Sequence, residues 1–307
     1  MGGAVLAGAV LVGLDGTGAG APAVRWGAGE AAARRLPLHL LHSWTSQPWP
    51  TSSPAPSASS SPTSSGQDDE RRRYGATVLE RAGALAAELH PGLRVTAELS
   101  GEDAADALAE RSAAAALLVL GSRGHDTLAG FLLGSVSLRV LARARCPVIT
   151  VREEECSAGP GPEVIVGVKE LGPESDAVLA YAFTTAAAHH ARLRALRAWR
   201  PATAPGAPYN ELTTALDEAE GAAVERDGLA ACLAPWREKF PGVRVAEEVA
   251  AGQAATVLLR ACTGTGLLVI GRRPHRAPMP LGPVVLGLLH HSRCPLAIVP
   301  RTTAPPA

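Results

Sequence analysis

The sequence reads Val10-Leu-Val-Gly-Leu14 near its start and Val164-Ile-Val-Gly-Val168 at mid-chain. Both are short apolar runs rich in β-branched residues, a pattern typical of a strand that is buried on both faces of a parallel sheet. An Ala-rich stretch with helical spacing follows each run, which predicts an alternation of strands and helices. The likeness of the two runs indicates that the chain carries two copies of one domain.

Further matched segments follow the two runs in the same order. The offset between the copies is 154 to 155 residues at first, then 150, and finally 148, so the copies differ by insertions or deletions in two loops. The further matched pairs begin at Leu38 and Leu193, at Pro91 and Pro241, at Leu117 and Leu267, and at Arg145 and Arg293.

Each copy is predicted to fold as an α/β domain with a five-stranded parallel sheet. The chain has 307 residues, about twice the usual length of one domain, and we expect two tandem domains at 1–153 and 161–303. In such doubly wound sheets ligands bind beyond the carboxyl ends of the strands. The strands are expected near 8–14, 37–43, 93–99, 116–121 and 147–151, and again near 163–168, 192–198, 243–249, 266–270 and 296–299. The first copy's helices are expected near 20–35, 69–89, 102–113 and 134–143.

One segment of the first copy has the composition of a disordered loop. Between Thr45 and Gln67 the chain consists almost entirely of Ser, Pro, Thr and Ala, too few apolar side chains for a core. The second copy has a shorter Pro- and Ala-rich insert at the corresponding place, Pro201 to Pro208. We therefore expect a mobile insertion inside the first domain.

Composition and charge exclude several classes of protein. Lys and Arg number 29, as do Asp and Glu, so no net charge attracts nucleic acid or an anionic membrane surface, and neither is expected as a partner. The only lysines, Lys169 and Lys239, do not follow glycine, which excludes a Walker A loop. Five widely spaced cysteines without a C-x-x-C motif are typical of a reducing cytoplasm, and we expect a cytoplasmic protein.

The residues best suited to bind a ligand follow the fourth strand of the first copy. Gly121-Ser-Arg-Gly124 is followed, after nine residues, by Gly134-Ser135-Val136-Ser137. The glycines let a ligand approach the backbone, and a helix that begins at Gly134-Ser135 would direct free amides and its positive dipole end toward an anion such as a triphosphate. Any one of these residues alone would more simply form a turn or a helix cap. Their joint spacing favours a binding loop.

At these residues the sequence resembles the tandem universal stress proteins, whose ATP-binding members carry Gly-x2-Gly-x9-Gly-Ser/Thr after strand four. The resemblance covers nearly the whole chain and includes Val-Gly-Leu-Asp-Gly-Thr at Val12 to Thr17. It implies the universal stress protein fold, which is Rossmann-like and similar to the adenine nucleotide alpha hydrolases. It also implies ATP, alone or with Mg²⁺, as the ligand.

The resemblance further implies the positions of the contacts. Adenine would lie near Gly13, Asp15 and the backbone of Ser43, and Asp15 would accept the ribose hydroxyls. The phosphates would lie on the loops at Gly124 and Gly134. The complete set of expected ATP-binding residues is Gly13, Asp15, Ser43, Leu120, Gly121, Arg123, Gly124, Gly134, Ser135, Val136 and Ser137.

The second copy departs from this pattern at each diagnostic place. Lys169 stands at the position of Asp15, Pro274 at that of Gly124, and Gly282 is followed by Pro283 instead of Ser. An ammonium cannot accept hydroxyl protons, and proline removes an amide donor. We therefore expect ATP in the first copy only. The basic residues Arg272, Arg273, His275 and Arg276 form either a solvated loop, the favoured interpretation, or a site for another anion.

Three functional classes are compatible with the sequence. The favoured one is a nucleotide-dependent regulatory or stress-response protein, because it explains both the intact and the degraded motif. An ATP hydrolase would need a positioned base and a metal-holding carboxylate, and Asp126 is the only acidic residue between Gly124 and Gly134. A scaffold that has lost nucleotide is disfavoured by the intact first loop.

The resemblance implies that the two domains pair within the chain through strand five, Val148–Val151 against Leu296–Val299, with homo-oligomers also possible. A duplicated domain can make internally the contact that its ancestor made between chains, and this would cover an exposed strand edge. Separately expressed halves are therefore expected to self-associate or aggregate in sedimentation experiments. Halves that stay monomeric and soluble would contradict the pairing.

Overall fold

The computed structural model describes residues 7–17, 20–45, 64–122, 134–152, 159, 161–200, 211–262, 266–273 and 280–301. Within these ranges strands and helices alternate along the chain, as the sequence predicts. The chain divides into two compact units, built mainly from residues up to Ala158 and from residues after it.

The first unit contains a five-stranded sheet with strand order β3-β2-β1-β4-β5. Strand β1 runs parallel to both β2 and β4, and β2 runs parallel to β3. The elements are β1 (Val10–Leu14), α1 (Gly20–Arg34), β2 (Leu38–Ser43), α2 (Ser64–Leu89), β3 (Val95–Ser100), α3 (Ala104–Arg111), β4 (Leu117–Ser122), α4 (Ser135–Arg143) and β5 (Val148–Arg152).

The second unit repeats this order as β8-β7-β6-β9-β10, and each pair of neighbours in it is parallel. A 3₁₀ turn (Pro173–Ser175) leads into its first helix. The elements are β6 (Glu163–Gly167), α5 (Asp176–Ala188), β7 (Arg192–Trp199), α6 (Glu211–Lys239), β8 (Val245–Ala251), α7 (Ala254–Ala261), β9 (Leu267–Gly271), α8 (Pro283–His291) and β10 (Leu296–Val299).

The central strands are buried on both faces in both units. Val10, Leu11 and Val12 of β1 are inaccessible to solvent, as are Val164 and Ile165 of β6. Consecutive buried residues require cover on both sides of the sheet, which the flanking helices supply. The predicted α/β class with parallel five-stranded sheets is therefore confirmed.

The start of α2 differs from the prediction. The helix begins at Ser64, so the last four residues of the segment predicted to be disordered, up to Gln67, are helical, while 46–63 lie outside the described residues. Gln67 has a good helix propensity, and Asp68 pairs with Arg71 three residues later, at 3.5 Å, a spacing that supports a helix. Composition alone could not reveal this extension.

Helix α1 approaches β1 closely because Gly27 has no side chain. A Cβ on Gly27 would lie 2.5 Å from Val12 Cγ2 and 3.5 Å from Leu38 Cδ1, which is too close for unaltered packing with a stiff valine. A Cβ on Gly83 of α2, in contrast, would meet no atom within 4 Å. The two helical glycines thus offer a matched pair for testing the packing.

We expect Gly27→Ala to lower the free energy of unfolding by about 1–3 kcal/mol, because the methyl group overpacks the interface between α1 and β1. Gly83→Ala should raise it by about 0.5–1 kcal/mol, because alanine favours the helix and has room. Urea unfolding of both variants measures the difference. Equal effects of the two substitutions would contradict the close approach of α1 to β1.

Candidate functional site

The carboxyl ends of β1, β2 and β4 lie side by side in the first unit. Gly13 of β1 is in register with Leu41 of β2 and with Leu120 of β4. From β1 the chain adds β2 and β3 on one side of that strand, and it then adds β4 on the opposite side of β1. The point at which the strand order reverses therefore lies between β1 and β4. Open α/β sheets bind ligands at this place.

Asp15 follows β1 and is exposed. Its Oδ1 accepts hydrogen bonds from the Thr17 amide at 2.9 Å and from Thr17 Oγ1 at 2.7 Å. This Asx turn fixes the carboxylate at the end of the strand. The hydroxyl of Tyr74 in α2 donates to the Gly16 carbonyl at 2.9 Å, which ties the same turn to a second element.

His42 of β2 lies beside this turn. It is fully buried, and its Nδ1 donates to the Leu14 carbonyl over 2.8 Å. Burial lowers the pKa of His42 below its ordinary value, against the opposing effects of the Leu14 hydrogen bond and the Asp15 charge. Its Nε2 has no hydrogen-bond partner among the described residues. The ring is therefore neutral and carries its proton on Nδ1.

The space beside Gly13 is filled by leucine side chains. A Cβ on Gly13 would lie 2.8 Å from Leu120 Cδ2 and 3.0 Å from Leu108 Cδ1. Gly167 has the equivalent neighbours in the second unit, Leu258 and Ile270. Because both copies share this packing, it accounts for a glycine at this position, and the contact of Gly13 with adenine stays a prediction.

Ser43 ends β2 and is 4% exposed. Its hydroxyl donates to the Glu102 carbonyl at 2.6 Å, and the Thr45 hydroxyl donates to the same oxygen at 2.8 Å. The hydroxyl is thus used within the fold. This arrangement is compatible with the predicted role of Ser43, which concerned its backbone.

Gly134 and Ser135 begin α4, and both are exposed. Gly134 is the N-cap residue and provides no side-chain cap, so Ser135 is the first helical residue. The alternative in which Ser135 caps the helix is therefore wrong. The first turn contains no acidic residue, and its amides have no acceptor within the helix, which leaves it suited to an anion.

The remaining predicted residues lie around this helix start or outside the described part. Leu120 is buried, Gly121 lies within β4, and Val136 and Ser137 are half-buried in the first turn of α4. Arg123 and Gly124 lie outside the described residues. His42 and Tyr74 lie at this site but were not predicted from the sequence. A Cβ on Gly75 would lie 2.8 Å from His42 Cδ2, but the sequence carries no signal for that approach.

The two copies differ at the equivalent positions of the second unit. Lys169 is exposed and its Nζ contacts Glu170 Oε1 at 2.7 Å. Helix α8 has Gly282 as its N-cap and Pro283 as its first residue, so one donor of the first turn is missing. Pro274 lies outside the described residues.

Comparison with known families gives a match to the Universal stress protein family over residues 8–152 and again over 163–300. The chain belongs to the universal stress protein family. The two matches correspond to the two sheets described above. Among the described residues, no helix is both long and apolar enough to cross a bilayer.

Relatives within the family are similar over nearly their whole length. Universal stress protein Rv2005c of Mycobacterium tuberculosis is 31% identical over 302 residues, covering 94% of this chain and 96% of the relative. Universal stress protein Rv2623 of the same organism is 30% identical over 274 residues, covering 86% of each chain. The crystal structure of a universal stress protein from Archaeoglobus fulgidus has a TM-score of 0.68 at 17% identity and covers 96% of this chain and 98% of its own, which supports the fold.

The lowered pKa of His42 makes stability depend on pH. The folded chain binds a proton at His42 at a lower pH than the unfolded chain, whose pKa is 6.5. The stability that His42 contributes is therefore present above pH 6.5 and is lost as the pH falls through the lowered pKa. The free energy of unfolding falls by at most about 1.4 kcal/mol per pH unit through this residue.

We expect His42→Asn, whose amide can still donate to Leu14, to flatten this dependence. Thermal unfolding between pH 7.5 and 5.5 tests the prediction, since the other histidines are common to both proteins. Parallel decreases of the melting temperature in the two proteins would show that His42 is not responsible.

Proposed function

We propose that this universal stress protein binds one ATP, in its first unit, and acts as a nucleotide-dependent regulatory or stress-response protein. The observation that carries the proposal is the exposed start of α4 at Gly134-Ser135. It belongs to the spacing Gly121-x2-Gly124-x9-Gly134-Ser135 and lacks any acidic residue that would repel phosphate.

The phosphates would be held by the start of α4 and by the loop that precedes it. The amides of the first turn donate, and the hydroxyls of Ser135 and Ser137 can add further donors. Arg123 and Gly124 complete the loop in sequence, the first as a cation and the second through its backbone. Mg²⁺ would accompany the phosphates where ATP is bound as its magnesium complex.

The nucleoside would lie over the carboxyl ends of β1 and β2. Asp15 is exposed, and its turn with Thr17 holds the carboxylate in place, which suits it to accept ribose hydroxyls. Adenine would contact the backbone of Gly13 and Ser43, because the side-chain hydroxyl of Ser43 is bound to Glu102. Leu120 and Val136 would border the same space.

Occupancy of this site is the proposed signal. Binding of ATP to the first unit alone would favour the conformation of the protein that binds ATP more tightly, and a change in partner contacts or domain pairing would follow from the differential affinity. The intramolecular pairing through strand five is part of this proposal. Hydrolysis is not part of the proposal, because it would need a positioned base and a metal-holding carboxylate, and Asp126 is the only acidic residue between Gly124 and Gly134.

We place the protein in the cytoplasm. The four described cysteines form no disulfide with one another, which is usual in a reducing compartment; they are Cys146, Cys232, Cys262 and Cys294. Burial raises the pKa of Cys146 to about 12, which makes it an inert small side chain rather than a nucleophile.

Calorimetric titration of the full chain should give one ATP per chain. Ser135→Ala should weaken binding about ten- to a hundredfold, since a hydrogen bond to a charged group contributes about 1.5–3 kcal/mol. Gly124→Pro, which introduces the second copy's residue, should weaken it further because the ring also obstructs the backbone.

Lys169→Ala provides the matched control in the second copy, and its ATP affinity should equal that of the wild type. A stoichiometry of two would overturn the assignment to the first unit. So would a titration in which Lys169→Ala abolishes binding while Asp15→Ala leaves it intact.

A further inference from the structure

The second unit contains a small cavity at the carboxyl ends of β6 and β9. Its volume is about 140 Å³, well below the roughly 300–1,000 Å³ of pockets that enclose a drug-sized ligand. Gly167 and Gly271 line it at the strand ends, and Gly282 lines it at the start of α8. The space suits a small ion or group rather than a whole nucleotide.

Cationic side chains predominate around this cavity. Four of them line it against two carboxylates, which leaves a formal excess of two positive charges among its described lining residues. The cations are Lys169, Arg272, Arg273 and Arg301, and the carboxylates are Glu170 and Glu174.

Arg272 is the most unusual of these residues. Its side chain is only 4% exposed, so the favoured sequence interpretation, a solvated basic loop, is wrong for this residue. The neighbouring Arg273 is exposed, and His275 and Arg276 lie outside the described residues. Burial lowers the pKa of Arg272. An arginine side chain stays protonated in proteins, so Arg272 contributes a buried positive charge to the lining of the cavity.

Glu170 holds two of the cations at one edge of the cavity. Its Oε1 lies 2.7 Å from Lys169 Nζ and 3.2 Å from an Arg301 Nη. One carboxylate thus serves two positive side chains, and it neutralises only part of their charge. The hydroxyl of Ser175 donates to the Glu170 carbonyl at 2.6 Å, which fixes the backbone of this turn.

The start of α8 contributes further donors. Arg273 packs over this end, with its Nε 3.1 Å from the position of a Cβ on Gly282. Pro283 has no amide hydrogen, but Val284 and Val285 follow it in the first turn and line the cavity. First-turn amides have no acceptor within the helix. Arg273 and the residues of this first turn therefore line the same cavity.

Comparison of the two copies shows that three of the four cations are specific to the second, whereas Arg273 corresponds to Arg123. Lys169 corresponds to Asp15 and Arg301 to Glu153, so two acidic positions have become basic. Arg272 corresponds to Ser122, whose hydroxyl donates to the Val151 carbonyl at 3.1 Å. The substitutions that remove the nucleotide motif thus also build a cationic cavity.

We propose that this cavity binds a small dianionic oxyanion, of which inorganic phosphate is the representative. Arg272 provides the buried charge, Arg273 and the α8 amides close over the ion, and the pair of Lys169 and Arg301 on Glu170 raises the local potential. The ligand matches the excess charge and the volume of the cavity. The inference does not depend on ATP binding by the first unit.

Arginine protection in the unmodified full chain tests the proposal directly. Phenylglyoxal modifies accessible guanidinium groups, and peptide mass mapping follows the rate at Arg273. At phosphate tenfold above its dissociation constant, modification should be about tenfold slower than in chloride of equal ionic strength. Arg293, which is exposed and does not line the cavity, should react equally in both and serves as the control.

Calorimetric titration of inorganic phosphate into variants gives the second arm. Arg273→Gln and Arg272→Gln should each weaken binding about ten- to a hundredfold, whereas Arg293→Gln should bind like the wild type. Equal modification of Arg273 with and without phosphate would overturn the proposal. Phosphate affinity unchanged in Arg273→Gln would do so as well, even if Arg272→Gln failed to fold.

Discussion

The burial of β1 and β6 on both faces is the constraint on which the rest of each unit depends. Val10 to Val12 and Val164 to Val166 are inaccessible to solvent, so no polar side chain can be accommodated along these strands without a cost in desolvation. Close contacts such as Gly27 against Val12 leave no room for a ligand there. Polar chemistry is therefore displaced to the carboxyl ends, where the strands stop and the chain meets solvent.

One scaffold thus supports two different electrostatic environments. In the first unit an acidic residue, Asp15, and an uncapped helix start at Gly134 lie at this edge of the sheet. In the second unit the corresponding edge carries Lys169, Arg272 and Arg301 around a cavity of about 140 Å³. Because the packing beside Gly13 recurs beside Gly167, the copies differ in the charge at this edge rather than in fold. Duplication followed by charge substitution accounts for that difference.

The fold could be predicted because its signals are local and repeated. Runs such as Val10–Leu14 have the composition of buried parallel strands, and the second copy provides an independent check on every element. The start of α2 at Ser64 could not be predicted, because low-complexity composition concealed residues that a helix tolerates. The Gly134-Ser135 helix start followed from spacing, whereas the positions of Arg272 and His42 depend on packing from elements distant in sequence.

The sequence itself contains one indication of the cationic cavity, a reversal of charge between the two copies. Alignment of the copies pairs Arg301 with Glu153, and the reversal of charge at that position parallels the exchange of Asp15 for Lys169. Whether a basic loop is solvated or buried, however, is decided by tertiary structure, since Arg272 and Arg273 are adjacent yet one is buried and the other exposed. Motif loss in a duplicated domain is consequently a reason to examine the altered site for another ligand.

The separation of ligands between the copies is the central claim, and photoaffinity labelling with 8-azido-ATP tests it most directly. The full chain is irradiated with the probe, digested, and mapped by mass spectrometry, with excess ATP as the competitor. We expect the labelling that excess ATP suppresses to be confined to peptides of the first unit, around the ends of β1, β2 and β4. Labelling of the second unit's peptides in similar yield, also suppressed by excess ATP, would contradict the separation of ligands between the copies.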